Sequence, residues 1–174
     1  LETSSVLMRQ HNLKYVKPHP DWQPCRESGS APNNTLVNIP SGRVMLGRDF
    51  NDPIYGWDNE YGRHQAEVPA FQAARYLVSN GEFLEFVSAG GYADDSLWDE
   101  EGLGWCRYAR AEFPTFWVPS ADGWKLRLMA EEVPMPWDWP VETNCLEARA
   151  FCRWKTRETG QPVRLPTEDE WNRL

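Results

Sequence analysis

The positions at which helices begin are the strongest structural constraint in this 174-residue sequence. Three times a Ser, Asn or Thr is followed three residues later by Glu, at Ser79–Glu82, Asn144–Glu147 and Thr167–Glu170. In such a capping box the first side chain accepts a hydrogen bond from the backbone N–H of the third residue, and the Glu carboxylate bonds back. We therefore predict helices over residues 80–88, from Asn144 to just before Gly160, and from Thr167 onward.

The segments between these helices predict short strands joined by turns. They carry β-branched and aromatic residues in runs of four or five, bounded by Gly, Pro, Ser and Asp. We expect a hairpin turn at Gly42, where a glycine is free to adopt positive φ. The expected strand pairs are residues 37–40 with 44–47, 68–71 with 74–78, and 115–118 with 125–129. A shorter β-rich run is expected over Val163–Leu165.

Two further helices are expected, together with two irregular segments. Apolar spacing predicts a helix over residues 2–13, and a less regular one over 94–110, with Ser96 as its cap and interruptions at Gly102 and Gly104. The segment Val133–Pro140 cannot be helical because its prolines remove N–H donors. Helices alternating with short strands predict an α+β fold with much irregular coil.

Composition and charge exclude several classes of function. The net charge of −8 argues against a general binder of nucleic acid, which gathers Lys and Arg to displace counterions. No apolar run reaches the roughly 20 residues of a membrane helix, and the first ten residues do not follow the plan of a signal peptide. We therefore expect no nucleic-acid partner, no membrane and a cytoplasmic protein.

The cysteines and histidines do not predict a metal site within this chain. Cys25, Cys106, Cys145 and Cys152 form no Cys-x-x-Cys pair, and the spacing of Cys145 and Cys152 predicts small buried side chains on one helix face. The three histidines have no ligand spacing. Ten tryptophans spread among loops indicate a core built largely from irregular segments.

Four motifs in order resemble the formylglycine-generating-enzyme and sulfoxide-synthase superfamily, whose domain is a variant of the C-type-lectin fold. The most specific is Arg164-Leu-Pro-Thr-Glu-x-Glu-Trp171. The others are Asn59-Glu60-x-x-x-His64-x-x-x-Val68, Leu77-Val78-Ser79-Asn80-x-x-Phe83-x-x-Phe86-Val87, and Pro140-Val141-Glu142-x-Asn144-x-x-Glu147-Ala148-x-Ala150-Phe151-Cys152-x-Trp154. The resemblance implies a C-type-lectin-like domain from about residue 36 to the end.

Within the superfamily, three segments resemble the 5-histidylcysteine sulfoxide synthase family of ovothiol biosynthesis. Residues 113–118 and 135–142 are similar to segments of that family, and residues 1–10 are similar to the end of its iron-binding helical domain. The implied reaction is the O2-dependent joining of cysteine sulfur to the histidine ring, on a non-haem Fe(2+) held by three His. The implied small-molecule partners are histidine, cysteine and O2.

The same resemblance predicts where this chain stands in the whole protein. Residues 1–14 would end the iron-binding helical domain, 15–35 would form a Pro-rich linker, and 36–174 would be the lectin-like domain, cut short because its last helix has only about two turns. Glu2 would match the last residue of a His-x-x-x-His-x-Glu motif and lie beside the iron ligands rather than on the metal. No catalytic residue or iron ligand is expected within residues 1–174, and this segment alone is expected to be inactive.

Five residues are candidates for binding substrate: Trp57, Asp58, Asn59, Glu60 and Asp138. Asp and Asn in loops bounded by glycine often bond their own backbone instead. Asp138 between two tryptophans would orient a substrate amine or accept from a buried indole or backbone N–H. Arg164 and Glu170 are expected to be structural, because capping and packing explain them.

Two other functions remain open from the sequence. One is an ergothioneine sulfoxide synthase, which the superfamily builds on the same fold and iron for a trimethylated histidine. The Pro136–Pro140 segment weighs against it. The other is a non-catalytic ligand-binding module on the lectin-like scaffold, because a fold does not fix a function.

Overall fold

The computed structural model describes residues 2–23 and 27–174, with the side chains of Glu2 and Thr3 excepted, so that Cys25 lies outside the described residues. The described chain has the predicted α+β character. The helices are α1 (Glu2–Gln10), α2 (Asn80–Ser88), α3 (Glu100–Ala109), α4 (Cys145–Thr159) and α5 (Glu168–Arg173). The strands are β1 (Leu36–Ile39), β2 (Gly42–Leu46), β3 (His64–Val68), β4 (Phe71–Ala74), β5 (Trp117–Ser120), β6 (Gly123–Arg127) and β7 (Glu132–Pro134).

The chain divides into two compact units, and each is assembled from two separate segments. Of the described residues, the first unit takes in those of Leu1–Asn33 and Leu77–Val163, and the second takes in Asn34–Tyr76 and Arg164–Leu174. None of the helices in residues 2–23 and 27–174 has the length and apolar character needed to cross a bilayer.

The predicted N-caps of α2, α4 and α5 are confirmed, and those of α4 and α5 form complete capping boxes. Asn144 Oδ1 accepts from Glu147 N at 2.9 Å, and the Glu147 carboxylate accepts from Asn144 N at 2.8 Å. The box from Thr167 to Glu170 is formed in the same way at the start of α5, and the Ser79 hydroxyl accepts from the N–H of Glu82. Helix α4 ends as expected at a glycine with φ of 66°, Gly160.

An aromatic cluster between α2 and α4 forms the main core of the first unit. Phe83 stacks on Phe151 with ring centroids 5.2 Å apart, and Phe86 meets Trp154 edge to face at 5.9 Å. The four rings are at most 7% exposed, as is Ala150. Ala150, Phe151 and Trp154 therefore form the buried stripe of α4.

A three-stranded antiparallel sheet, β5–β6–β7, carries the second cluster of this unit. Trp117, Leu126, Val133 and Met135 are its buried residues. The predicted β5–β6 turn is confirmed, with Gly123 at φ of 115°. Strand β7 was not predicted, because a strand of three residues that ends in proline gives little periodic signal.

The strands of the second unit form one long antiparallel ribbon interrupted by two prolines. Strand β1 pairs with β4 from Leu36↔Ala74 to Ile39↔Phe71, and β2 pairs with β3 from Gly42↔Val68 to Leu46↔His64. The two ladders keep one register, so the break falls where residues 40 and 41 face residues 70 and 69. Pro40 and Pro69 lie at this break, and proline has no N–H for a ladder.

The expected hairpin at Gly42 and the expected pairing of residues 68–71 with 74–78 are therefore wrong. The chain reverses in the loop between β2 and β3 instead, and residues 68 and 71 belong to consecutive strands of one side of the ribbon. Gly42 lies instead beside α5, where a Cβ would come within 2.6 Å of Nε of the flexible Arg173 side chain.

Helix α1 ends earlier than expected. It stops at Gln10 rather than Leu13, because Asn12 caps a short 3-10 helix, Leu13–Tyr15, by accepting from Lys14 N. Its apolar residues Val6 and Leu7 are exposed.

The N-terminal cap of α3 also differs from the prediction. Helix α3 is capped by Asp99, whereas Ser96 lies in a preceding 3-10 turn, and Gly102 and Gly104 stand inside the helix.

Two further expectations do not hold. Val163–Leu165 forms no strand. On α4, Cys152 is buried as predicted, but Cys145 in the first turn is exposed.

Candidate functional site

The candidates Trp57–Glu60 lie on a closed loop between β2 and β3, in the second unit. Its neck is held by Arg48 N donating to Glu60 O at 3.0 Å and Gly62 N donating to Arg48 O at 3.1 Å. Gly47 at this neck has φ of 96°, and a Cβ there would come within 2.3 Å of Gly62 O. The backbone at Gly47 therefore lies too close to Gly62 O for any residue with a Cβ to fit without a shift.

Arg48 organises the interior of this loop. Its guanidinium donates to the Asp52 carboxylate, to Tyr55 O at 2.9 Å and to the Glu60 carboxylate at 3.3 Å. The backbone N–H of Ile54 and the Arg48 guanidinium hold the pKa of Asp52 below its usual range. Glu60 is thus engaged in the loop's own structure. No spacing signal in the sequence predicts this role of Arg48.

The other three candidates of the loop, Trp57, Asp58 and Asn59, are exposed and differ in the contacts that their side chains make. Asp58 Oδ1 accepts from Asn59 N at 3.0 Å, which is the backbone-bonding alternative considered for this residue. Trp57 is 65% exposed and meets Tyr55 edge to face at 5.7 Å. The side chain of Asn59 is exposed. Trp57 and Asn59 therefore present a ring and an amide that are accessible for contact with a ligand.

Asp138 lies in the first unit, on a segment that the start of α2 holds rigidly. Asn80 N donates to Trp139 O at 2.8 Å and Gly81 N to Trp137 O at 2.9 Å. The Asn80 side chain, which is 1% exposed, donates to Pro136 O at 2.9 Å. The prolines keep this segment out of regular secondary structure, and its carbonyls accept hydrogen bonds from the start of α2 instead.

The carboxylate of Asp138 contains a buried oxygen without a donor. Within the described part of the chain, Oδ1 of Asp138 has no hydrogen-bond partner. The neighbouring indole of Trp139 donates elsewhere, to Glu27 O at 2.9 Å. A buried carboxylate oxygen without a donor is costly, by roughly 1–3 kcal/mol or more for a charged group. Among the described residues, Oδ1 of Asp138 therefore has unused capacity to accept a hydrogen bond.

The structure brings together no complete metal site within residues 2–23 and 27–174, where no group of three or more His, Cys, Asp and Glu side chains is placed to hold an ion. Glu2 lies in α1, and its side chain is outside the described residues. His64 Nε2 lies 3.0 Å from Asp169 Oδ1, joining β3 to α5. The residues present thus do not themselves fit an iron centre.

The signature segment Arg164–Trp171 has a structural role. Arg164 donates to both carboxylate oxygens of Glu170, at 2.7 Å and 2.6 Å. This fork, together with the N–H of Thr167, lowers the pKa of Glu170 to about 2. The same carboxylate closes the capping box of α5, so Glu170 holds the segment and the helix together.

Comparison with known proteins agrees with these motifs. Residues 24–173 match the model of the sulfatase-modifying factor enzyme 1-like domain. The chain is 35% identical over 141 residues to hercynine oxygenase of Mycolicibacterium smegmatis, covering 80% of this chain and 31% of that protein. It is 29% identical over 156 residues to formylglycine-generating enzyme of Bos taurus, covering 81% and 39%.

A more distant relative points in the same direction. Ergothioneine biosynthesis protein 1 of Schizosaccharomyces pombe is 25% identical over 138 residues, which cover 78% of this chain and 15% of that protein. The chain spans about a third of the length of the mycobacterial relatives it matches. The family match takes in nearly the whole chain, and the chain therefore belongs to the sulfatase-modifying factor enzyme 1-like domain family, whose C-type-lectin-like fold accounts for its helices, small antiparallel sheets and irregular segments.

Proposed function

We propose that this chain is part of a non-haem iron, O2-dependent sulfoxide synthase that joins cysteine sulfur to the histidine ring in ovothiol biosynthesis. One observation carries the choice. The two segments that resemble the 5-histidylcysteine sulfoxide synthase family, residues 113–118 and 135–142, pack into a single cluster around Trp117 and Met135. The second of these segments carries Asp138 with its unpartnered oxygen. The relatives named hercynine oxygenase support an oxygenase reaction.

In this proposal the lectin-like domain binds substrate, and other parts of the protein hold the metal. Residues 1–14 would end the helical domain that holds iron, 15–35 would be the linker, and Glu2 would stand beside the iron ligands. Bound Fe(2+) would supply the activation of O2. The reaction is placed in the cytoplasm, where the unpaired thiols Cys106, Cys145 and Cys152 would stay reduced.

Asp138 is proposed to orient the ammonium group of an amino-acid substrate. A carboxylate accepting from an ammonium forms a charge-assisted hydrogen bond, which is about twice as strong as a neutral one. Because α2 fixes the segment through Asn80 and Gly81, the carboxylate would meet the substrate without further ordering. Trp57 and Asn59 of the second unit are proposed, independently of Asp138, as contacts to substrate, with Asp58 and Glu60 holding the loop that presents them.

The test is an assay of the full-length protein with Fe(2+), O2, cysteine and histidine. We expect O2 uptake and a product with the mass of histidine joined to cysteine through an oxidised sulfur. The matched reaction without cysteine should give no such product. Absence of both O2 uptake and product with every histidine derivative would contradict the proposal and favour a non-catalytic binding module.

A second function, the ergothioneine sulfoxide synthase, is favoured by the 35% identity to mycobacterial hercynine oxygenases. Equimolar histidine and hercynine in one assay separate the two. Preference for histidine supports the ovothiol reaction, and preference for hercynine supports the ergothioneine reaction.

A further inference from the structure

Helix α1 is attached to the first unit through charge rather than through an apolar face. Among its residues whose side chains are described, Arg9 alone is buried, at 7% exposure. Val6, Leu7 and Met8 are 40%, 55% and 42% exposed. A helix of nine residues is too short to be stable in water by itself. Its position therefore depends on the contacts that Arg9 makes.

Arg9 and Arg127 of β6 hold each other's backbone, although 118 residues separate them. Arg9 Nε donates to Arg127 O at 2.8 Å, and Arg127 Nε donates to Arg9 O at 3.2 Å. The Arg9 guanidinium also lies over the Phe116 ring, 3.5 Å from its centroid, and forms an ion pair with Glu142. We call this reciprocal arrangement of Arg9 and Arg127 the arginine clasp.

Arg127 also caps the end of α1 from another element. Its guanidinium donates to His11 O at 3.0 Å and to Leu128 O at 2.6 Å, besides the bond to Arg9 O. The last carbonyls of a helix lack partners within the helix and carry the negative end of its dipole. One guanidinium thus satisfies carbonyls at the end of α1 and at the end of β6 together.

The clasp buries two positive charges, and removing them from water costs free energy. Arg9 and Arg127 are each 7% exposed, whereas the Glu142 side chain that pairs with Arg9 is 57% exposed. Burial lowers the pKa of Arg127, the Glu132 carboxylate partly offsets this, and the charge of Arg9 lowers it further. Within the described part of the chain, Nη2 of Arg9 has no partner. Apolar residues of similar volume often replace buried charges at no loss of stability.

An apolar side chain could fill the same space, but it would not fix an orientation. The planar guanidinium donates along fixed directions, so it sets both the angle and the position of α1 relative to β6. We propose that Arg9 and Arg127 are positioning residues, which fix how α1 lies on the β5–β6–β7 sheet. They thereby set the place of the N-terminal end of α1 relative to the segment after β7 that carries Asp138. An effect of the clasp on catalysis rests on the proposed function, in which the N-terminal end of α1 and the segment that carries Asp138 take part in one reaction.

The experiment compares Arg127→Met, Arg127→Lys and Arg9→Met in the full-length protein. The control is Arg153→Met, because Arg153 also donates to a carbonyl, Leu97 O, and lies away from α1. Three quantities are measured: hydrogen exchange of the α1 amides, the melting temperature, and the product formed per O2 consumed.

We expect the Arg127 variants to speed exchange in α1 about tenfold while the melting temperature stays within about 3 °C. Product per O2 should fall severalfold, with kcat reduced more than KM is raised. Lys should not rescue, because one ammonium cannot reproduce the fork that reaches Arg9 O, His11 O and Leu128 O. Arg153→Met should leave exchange in α1 and the product ratio unchanged.

Rescue by Lys, or a fall in melting temperature with faster exchange throughout the unit, would overturn the proposal and make the clasp an ordinary stabilising contact. A wild-type protein that consumes no O2, but whose α1 still responds to Arg127→Met, would contradict the proposed function and support the clasp. The two failures are therefore distinguishable.

Discussion

At the scale of single residues, the first unit buries charged groups in two different ways. Arg9 and Arg127 are surrounded by carbonyls, a ring and one carboxylate, whereas Oδ1 of Asp138 has no donor within the described residues. A buried charge that lacks a partner costs stability unless a ligand supplies one. This difference separates a group held for structure from a group available for binding.

Asp138→Asn is expected to weaken substrate binding without weakening the fold. The substitution keeps shape and removes the charge, so the KM of the amino-acid substrate it contacts should rise about tenfold, the value of one charged hydrogen bond. The melting temperature should stay about the same, because Asp138 is only half-buried and Oδ1 has no hydrogen-bond partner within the described residues to lose. Asp122→Asn in the exposed β5–β6 turn is the control. An unchanged KM with a lower melting temperature would show that Asp138 is structural.

Arg164→Met is expected to flatten the acid dependence of stability. The native pKa of Glu170 is about 2, below its ordinary value of 4.5, so its contribution is complete above pH 4.5 and lost as pH falls toward 2. Because the Arg164 side chain is 62% exposed, its loss should cost only about 1 kcal/mol at pH 7. Urea unfolding between pH 7 and pH 2.5 measures this.

Near pH 2.5 the Arg164 variant and the wild type should approach each other in stability. Glu168→Gln in the same helix, which leaves the fork intact, should show the wild-type dependence. An equal loss at pH 7 and pH 2.5 would mean that Arg164 stabilises by packing and not through the Glu170 charge.

At the scale of elements, the loop between β2 and β3 depends on the closeness of its two ends. Gly47→Ala should cost about 3 kcal/mol, because it places a Cβ 2.3 Å from Gly62 O in addition to the strain of positive φ. Gly62→Ala is the matched control. It has φ of 129° but open space around the new Cβ, so about 1 kcal/mol is expected. Equal losses in urea unfolding would show that the neck relaxes freely.

The elements differ in how far the sequence predicts them. The starts of α2, α4 and α5 were predicted because each cap bonds to a residue three positions on. The partners of β1 and β2 were not, since every strand there is compatible with a nearer neighbour as well as the true one. Pro40 was expected to end a strand and Pro69 to lie inside one, whereas in the ribbon both lie at one shared interruption.

At the scale of the whole molecule, Asn80 joins three parts of the first unit. Its side chain donates to Pro136 O and accepts from the Trp117 indole at 3.2 Å, while its N–H bonds to Trp139 O. Asn80→Ala should cost about 3 kcal/mol, because a buried carbonyl and a buried indole N–H lose their partner. Urea unfolding measures the loss.

The control for Asn80 is Asn59→Ala, an exposed amide whose loss should change stability by less than about 0.5 kcal/mol. Asn80→Asp should cost at least as much as Asn80→Ala, because it places a carboxylate that cannot donate to Pro136 O in a site that is 1% exposed. A loss no greater than that of Asn59→Ala would mean that the Trp-rich segment is held by packing alone.

The sequence by itself determined the α+β class, the starts of α2, α4 and α5, the end of α4 at Gly160, and the family, because these depend on groups a few residues apart or on motifs read directly. The tertiary structure alone decided the partners of the strands, the place of Arg48 within its loop, the arginine clasp and the unpartnered oxygen of Asp138. Each of these is set by groups far apart in the chain, as Arg9 is from Arg127. Residue type shows that a side chain can donate or accept, but only packing decides which partner it meets and whether it meets one.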